Sequence, residues 1–224
     1  MHEIGVRIVN GELRPGDTLP DNGFLDEAAV SRTVVREAIK VLAAKNLVES
    51  RPKVGTRVRP RRDWNLLDPD LLAWQIEAGP DPRFLEQALE LRRIIEPAAA
   101  RLAAERATGE QIAELYEAYE AMAAAGDDLD AFMEPDLRFH RLLLEAGQNE
   151  LLEHMNEIFT PVLHTIFAYS SSSSRAYPSA ARRHRAIVKA IEARDPDAAE
   201  QSVLRLIDDT KKNLASALRR SARG

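Results

Sequence analysis

The sequence predicts a mostly α-helical protein in two parts, a small N-terminal part with three helices and a β-hairpin and a larger antiparallel all-α helical bundle. Residues 47–51 and 56–59 alternate like strands around a Pro-Lys-Val-Gly turn, which is typical of a hairpin. From residue 64 onward only helical patterns occur. We therefore place the domains at residues 1–60 and 81–224, with a linker and a linker helix at 61–80.

Three predicted helices precede the hairpin. Residues 4–10 form a short amphipathic stretch that looks shortened at its start, and residues 23–29 form a second short helix. Ser31 is a suitable N-cap for the third helix, which runs to about Lys45.

The second part begins several of its helices with strong N-terminal signals. Asp-Pro pairs occur at residues 68, 81 and 195, where aspartate accepts free amide hydrogens and proline loses no hydrogen bond. Thr108 opens a capping box. The predicted helices cover residues 69–78, 82–106, 109–125, 129–146, 150–169, 178–193 and 196–220. We expect Pro97, Pro135 and Pro161 to kink or divide three of them.

Composition and charge exclude several classes of protein. The chain has no cysteine, which excludes disulfides and thiolate metal sites. No apolar run is long enough to span a membrane and no signal pattern is present, so we expect a cytoplasmic protein without a membrane partner. Residues 1–62 carry 12 basic and 8 acidic side chains, a net +4, whereas residues 63–224 carry 19 and 28, a net −9. The basic part could bind a polyanion, although chance could also give this modest excess.

Three helices followed by a hairpin make up a winged helix-turn-helix, whose third helix enters the major groove of double-stranded DNA. Arg32, Thr33 and Arg36 lie near the start of that helix, and Lys53 and Arg57 would lie on the hairpin wing. Arginine can bind guanine or phosphate through two hydrogen bonds. The alternative is a solvated basic face on an unrelated helical domain.

The segments GELRPGDTLP, VSRTVVREAIKVLAAKNLVES and GTRV resemble, in this order, the DNA-binding domain of the GntR family of bacterial transcription regulators. The resemblance implies that Arg32 and Arg36 contact operator DNA and that the wing lies near the minor groove. Gly23 stands where many members carry a DNA-contacting arginine, and the stretch between Pro20 and Val30 is one residue short. These departures imply a different operator or weaker binding.

Two polar residues of one predicted helix share its apolar face. Asp136 and His140 are one turn apart beside Phe132, Phe139 and Leu143, so both should point into the bundle. His184 repeats this pattern on another helix. A carboxylate and two imidazoles inside a bundle suit a divalent metal ion, zinc first, with nickel or manganese as alternatives. An Asp–His hydrogen bond with an unrelated core histidine is the simpler explanation.

Arg92 shares the apolar face of its own predicted helix. It could clamp the carboxylate of a ligand, or it could form a structural salt bridge with Glu96 one turn later. Its neighbour Arg93 lies about 100° around the helix and should be solvated.

The sequences around residues 90–108, 136–140, 147–149 and 184–187 resemble the FCD effector domain of the FadR subfamily. That resemblance implies an all-helical domain that holds a metal beside a small carboxylate effector, with Asp136, His140 and His184 as ligands. Leu206 stands where a further histidine is expected, which implies a weaker site or one completed by water or effector oxygens. Asn149 matches a recurrent position, as an effector contact or only as a helix cap.

The segment WNLLDPDLLAWQIE and its continuation to residue 108 resemble the regulators of galactonate catabolism. This implies a sugar-acid effector such as an aldonate. Together the resemblances imply a homodimeric repressor that releases its operator when the sugar acid binds. Two alternatives stay open: a regulator with a purely structural metal that responds to an acyl or amino-acid carboxylate, and a metalloenzyme that uses the same three residues.

Overall fold

The computed structural model describes residues 1–19, 31–51, 54–79, 81–170 and 177–221. The chain divides into two compact units, residues 1–80 and 81–224. No helix within these described ranges combines the length and the apolar character needed to cross a membrane.

The first unit contains short helices and a small sheet. Its elements are α1 (His2–Val9), β1 (Thr18–Leu19), α2 (Arg32–Ala44), β2 (Val48–Arg51), β3 (Gly55–Val58), a 3₁₀ turn (Arg61–Asp63) and α3 (Pro69–Glu77). The predicted helix at 23–29 lies outside the described residues. Ser31 caps α2 as expected, because its side chain accepts a hydrogen bond from the Val34 amide.

The sheet has three antiparallel strands in the order β1-β3-β2. The predicted hairpin is present, with Val48 opposite Val58. The third strand was not predicted, because two residues are too short to show an alternating pattern. It pairs Thr18 with Arg57 and so places β3 in the centre of the sheet.

Residues 61–80, which we assigned to a linker, contribute to the hydrophobic core of the first unit. Trp64, Leu71 and Trp74 are buried together with Ile8 of α1 and Leu42 of α2. The indole nitrogen of Trp74 also donates a hydrogen bond to His2 Nδ1 over 2.9 Å. Helix α3 is therefore held in the first unit by apolar burial and a polar contact with α1.

Gly5 makes the packing of α3 on α1 possible. A β-carbon at this position would lie 2.5 Å from Cε3 of Trp74. We expect Gly5→Ala to lower the free energy of unfolding of the first unit by about 1–3 kcal/mol through overpacking. Both tryptophans of the chain, Trp64 and Trp74, lie in this unit, so urea unfolding followed by tryptophan fluorescence reports on it selectively.

The control for this measurement is Gly109→Ala. An added β-carbon at Gly109 would meet no atom within 4 Å, and the residue lies in the second unit. Equal urea midpoints for Gly5→Ala and Gly109→Ala would show that the packing of the Trp74 ring does not depend on the absence of a side chain at residue 5.

The second unit is an all-helical bundle. Its helices are α4 (Pro82–Arg106), α5 (Gly109–Ala124), α6 (Leu129–Ala146), α7 (Glu150–His154), α8 (Asn156–Ser170), α9 (Tyr177–Glu192) and α10 (Pro196–Ser221). Helix α4 packs against both α6 and α10, α10 also packs against α9, and α8 contacts α6 and α10. These five helices surround the buried polar residues described below.

The predicted N-terminal signals of these helices are confirmed. Asp68 and Asp81 accept amide hydrogens at the starts of α3 and α4, and Thr108 forms a capping box with Gln111. The prolines were expected to kink or divide three helices, and they do not divide them. Helices α4, α6 and α8 continue through Pro97, Pro135 and Pro161, and the predicted helix over 150–169 is instead interrupted at Met155.

Candidate metal and ligand site

Helices α6 and α9 bring Asp136, His140 and His184 together inside the second unit. Only 8% of Asp136, 2% of His140 and 1% of His184 is exposed to solvent. The predicted inward orientation is therefore correct, and it follows from the apolar residues on the same faces. The Phe139 ring packs edge-on against His184, with a centroid distance of 4.7 Å.

The three side chains have the spacing of a metal site. One ligand atom from each residue lies within 4.8 Å of the other two. Nε2 of His184 lies 3.3 Å from Oδ1 of Asp136, and Nε2 of His140 lies 3.9 Å from Oδ2. Ligand atoms that each lie about 2.0–2.2 Å from a tetrahedral zinc ion are roughly 3.3–3.6 Å apart, which is close to these separations.

The hydrogen bonding of His184 leaves one nitrogen available. Its Nδ1 lies 2.9 Å from the carbonyl oxygen of Ala180 and therefore donates to it. Burial lowers the pKa of His184 to about 4, so the ring is neutral near pH 7 and Nε2 carries a lone pair. That nitrogen is buried without a hydrogen-bond partner and faces the Asp136 carboxylate. Two facing acceptors favour a cation between them.

Glu96 of α4 lies behind His140 and is fully buried. Its Oε2 lies 3.0 Å from Nδ1 of His140, an ion-pair distance without the alignment of a hydrogen bond. Burial opposes ionisation of Glu96, but the positive charge of Arg92 and the adjacent His140 ring outweigh it and hold the pKa of Glu96 far below its usual range. A carboxylate behind a ligand histidine fixes its tautomer and increases its basicity as a ligand.

Arg92 is buried on α4 within hydrogen-bond distance of both Glu96 and His140. It forms the predicted salt bridge with Glu96, in which Nε donates to Oε1 over 2.6 Å and Nη2 donates to Oε2 over 3.2 Å. It also lines the cavity beside His140. Arg93 is about half exposed and pairs with Asp208 on α10, so it lies outside this cluster.

The cluster opens into a cavity in which solvent-sized molecules can occupy about 60 Å³. That volume exceeds the roughly 10–15 Å³ needed by one water. The cavity has an apolar wall that includes Phe132, Leu163, Ile166, Phe167 and Leu206. A polar set of four residues also lines the cavity: Arg183, Asp209, Thr210 and Asn213.

Two residues singled out from the sequence take different positions relative to this cavity. Leu206 is buried in the wall, so no imidazole is available at the position where the resemblance places a further ligand. Asn149 is not among the residues that line the cavity. Its side chain accepts a hydrogen bond from the Leu151 amide and caps α7, which was the alternative interpretation.

The sequence alone missed the contacts that cross between helices. Glu96 was seen only as the neighbour of Arg92, because no periodicity links it to His140, 44 residues later (140 − 96). The polar set on α9 and α10 was also missed, since charged residues on long helices usually form solvated faces. Arg183 and Asp209 approach each other to 2.5 Å at the cavity.

The predicted DNA-binding residues that the structure describes are exposed. Thr33 and Arg36 lie in the first turns of α2, and Arg57 lies on the central strand. Within the described ranges no ion pair engages Arg36 or Arg57. The backbone of Arg32 begins α2, whereas its side chain and all of Lys53 lie outside the description.

Comparisons with known proteins agree with this arrangement of units. Residues 1–58 match the family described as bacterial regulatory proteins, gntR family, and residues 87–209 match the FCD domain. The chain is 37% identical to the galactonate operon transcriptional repressor of Escherichia coli (strain K12), over 94% of this chain and 93% of the relative. It is 38% identical to the uncharacterised regulator YieP of the same strain, over 88% of this chain and 86% of that one.

A solved structure shows the same fold. Lar, described as controlling expression of the Listeria monocytogenes agr system, superposes with a TM-score of 0.66 at 19% identity and covers 96% of this chain and 97% of its own. A winged helix-turn-helix unit joined to an FCD bundle defines a transcriptional regulator rather than an enzyme. The chain belongs to the GntR family, in the group that carries an FCD domain.

Proposed function

We propose that the protein is a homodimeric repressor of sugar-acid catabolism, which binds double-stranded operator DNA and releases it when an aldonate such as galactonate binds beside a divalent metal ion. The observation that carries the proposal is the buried, unpartnered Nε2 of His184 facing Asp136 in a cavity. A neutral imidazole beside a carboxylate is a metal-binding pair.

The donor set fits a borderline metal ion. Two imidazole nitrogens and one carboxylate oxygen suit zinc first, and nickel or manganese as alternatives. When bound, the ion would supply positive charge for the oxygen atoms of an anionic effector. The protein residues do the positioning: Ala180 orients His184, and Glu96 lies against Nδ1 of His140.

The polar residues that line the cavity support a hydroxylated effector. Asp209, Thr210 and Asn213 offer carboxylate, hydroxyl and amide groups, which can exchange hydrogen bonds with the hydroxyls of a sugar acid. A fatty acyl chain would exclude water from these groups and offer them no hydrogen bonds in exchange, which is costly. The related repressor named for the galactonate operon points to the same class of ligand. The alternative, an acyl or amino-acid effector above a structural metal, has less support from these residues.

The first unit supports the DNA-binding part of the proposal. Thr33 and Arg36 stand exposed in the first turns of α2, the helix that the winged fold inserts into the major groove. Arg32 precedes them on the same helix, and Arg57 belongs to the wing, where Lys53 is expected as well. A two-fold dimer would present two such units to a palindromic operator. An effector that prefers another arrangement of the dimer would lower DNA affinity by the ratio of its affinities for the two states.

A thermal-shift panel tests the effector class. We expect aldonates, with galactonate first, to raise the melting temperature of the zinc-loaded protein, because a ligand that binds only the folded state stabilises it. Fatty acyl carboxylates and amino acids should leave it unchanged, and chelation with EDTA should remove the aldonate shift. An equal shift with EDTA would contradict the metal-dependent site, and a shift given only by acyl or amino-acid ligands would favour the alternative effector.

A further inference from the structure

Arg92 donates a hydrogen bond to the nitrogen atom that His140 would offer to a metal ion. Its Nη2 lies 3.2 Å from Nε2 of His140, while Nδ1 of the same ring faces the ionised Glu96 at 3.0 Å. Because a guanidinium can only donate hydrogen bonds, Nε2 accepts from Arg92, and the ring proton is placed on Nδ1 beside the carboxylate. The single lone pair of Nε2 is therefore engaged by the guanidinium of Arg92.

The remaining hydrogen-bonding capacity of Arg92 is directed away from Glu96. A guanidinium has five N–H groups in a fixed planar arrangement. Nε and one hydrogen of Nη2 serve Glu96, and the second hydrogen of Nη2 serves His140. Nη1 has no hydrogen-bond partner in the described part of the chain, and Arg92 lines the cavity. The edge of the guanidinium formed by Nη1 and Nη2 has two parallel N–H donors, and His140 engages the one on Nη2.

We propose that metal binding frees this edge of Arg92 and so creates a bidentate carboxylate clamp, an inference that rests on the proposed metal site. A lone pair given to a cation can no longer accept the Nη2 hydrogen. Nη2 and Nη1 then present two parallel donors, the arrangement that matches a carboxylate. Glu96 keeps hold of Nε and the other Nη2 hydrogen, so the guanidinium plane remains oriented.

The consequence is that metal and carboxylate binding are coupled. The ion removes the competitor for the clamp and adds positive charge, so each ligand should strengthen the binding of the other by the same factor. We expect zinc to tighten galactonate binding by about 5- to 150-fold, the usual range of such coupling. Without the metal, a carboxylate would have to displace the contact between Arg92 and His140 by itself.

Calorimetric titration of galactonate with zinc and with EDTA tests the coupling. The variant is Arg92→Lys, which keeps a positive charge beside Glu96 but cannot offer two parallel N–H donors to a carboxylate. The matched control is Arg93→Lys, at the half-exposed neighbouring position. We expect the coupling factor to approach one in Arg92→Lys, with zinc binding retained, and to be unchanged in Arg93→Lys. Wild-type coupling in Arg92→Lys would overturn the proposal. A parallel loss of zinc and galactonate binding would also overturn it, because this would indicate a merely structural role.

Crystal structures of the wild-type protein without and with zinc, both free of effector, separate this inference from the proposed function. We expect zinc at His140 and an Nη2–Nε2 distance that increases beyond about 3.5 Å, where a hydrogen bond is lost. Zinc bound at His140 with the 3.2 Å contact unchanged would overturn the clamp and leave the metal site intact. No zinc at Asp136, His140 and His184 would overturn both.

Discussion

Replacing His184 by alanine is expected to abolish the response to the sugar acid while DNA binding stays within about threefold of wild type. The imidazole supplies the unpartnered Nε2 on which the proposed metal site depends, and loss of one of three protein ligands should reduce metal affinity by well over the 10–100-fold typical of outer-shell changes. The measurement is fluorescence anisotropy of a labelled operator duplex, titrated with galactonate in the presence of zinc.

The His140→Ala variant should give the same result, since His140 contributes the second imidazole. The matched control is His154→Ala, because His154 is exposed and its Nδ1 bonds only to the backbone oxygen of Glu150 within the described contacts. Normal galactonate-driven release by either His184→Ala or His140→Ala would mean that the metal-site assignment is wrong.

Replacing Arg36 by alanine should have the opposite effect. Arg36 is exposed in the second turn of α2, where a guanidinium can reach a guanine edge or a phosphate. We expect operator affinity to fall by about 1–3 kcal/mol if the contact is to a base, which is roughly 5- to 150-fold. Galactonate binding, measured by calorimetry without DNA, should not change.

Salt dependence separates a base contact from a phosphate contact for Arg36. Loss of a phosphate contact would reduce the slope of log affinity against log salt by about one. Arg182→Ala is the charge-matched control, because Arg182 is an exposed arginine of the second unit. Operator affinity that is equal in Arg36→Ala and Arg182→Ala would contradict the assignment of α2 as the recognition helix.

Local signals in the sequence predicted much of the fold. Asp81 and Thr108 mark helix starts through chemistry that acts over three residues, and these starts are confirmed. The alternating residues of the hairpin are equally local. Strand β1 and the break at Met155 were missed, because neither has a periodic pattern of its own.

The candidate site was predictable wherever a single helix carries it. Asp136 and His140 are one turn apart on an apolar face, so their burial follows from helical periodicity. The contacts of His140 with Glu96 and Arg92 join α6 to α4, and only tertiary packing brings them together. For Asn149, the resemblance allowed either an effector contact or a helix cap. In the structure its side chain caps α7 by accepting a hydrogen bond from the Leu151 amide.

The most direct test of the account follows operator release at fixed protein concentration. The operator is a duplex selected from a random pool by the purified protein, and its bound fraction is measured by anisotropy as galactonate is added with zinc or with EDTA. We expect release with zinc and little or none with EDTA. Retention of the duplex at saturating galactonate with zinc, or equal release in EDTA, would contradict it.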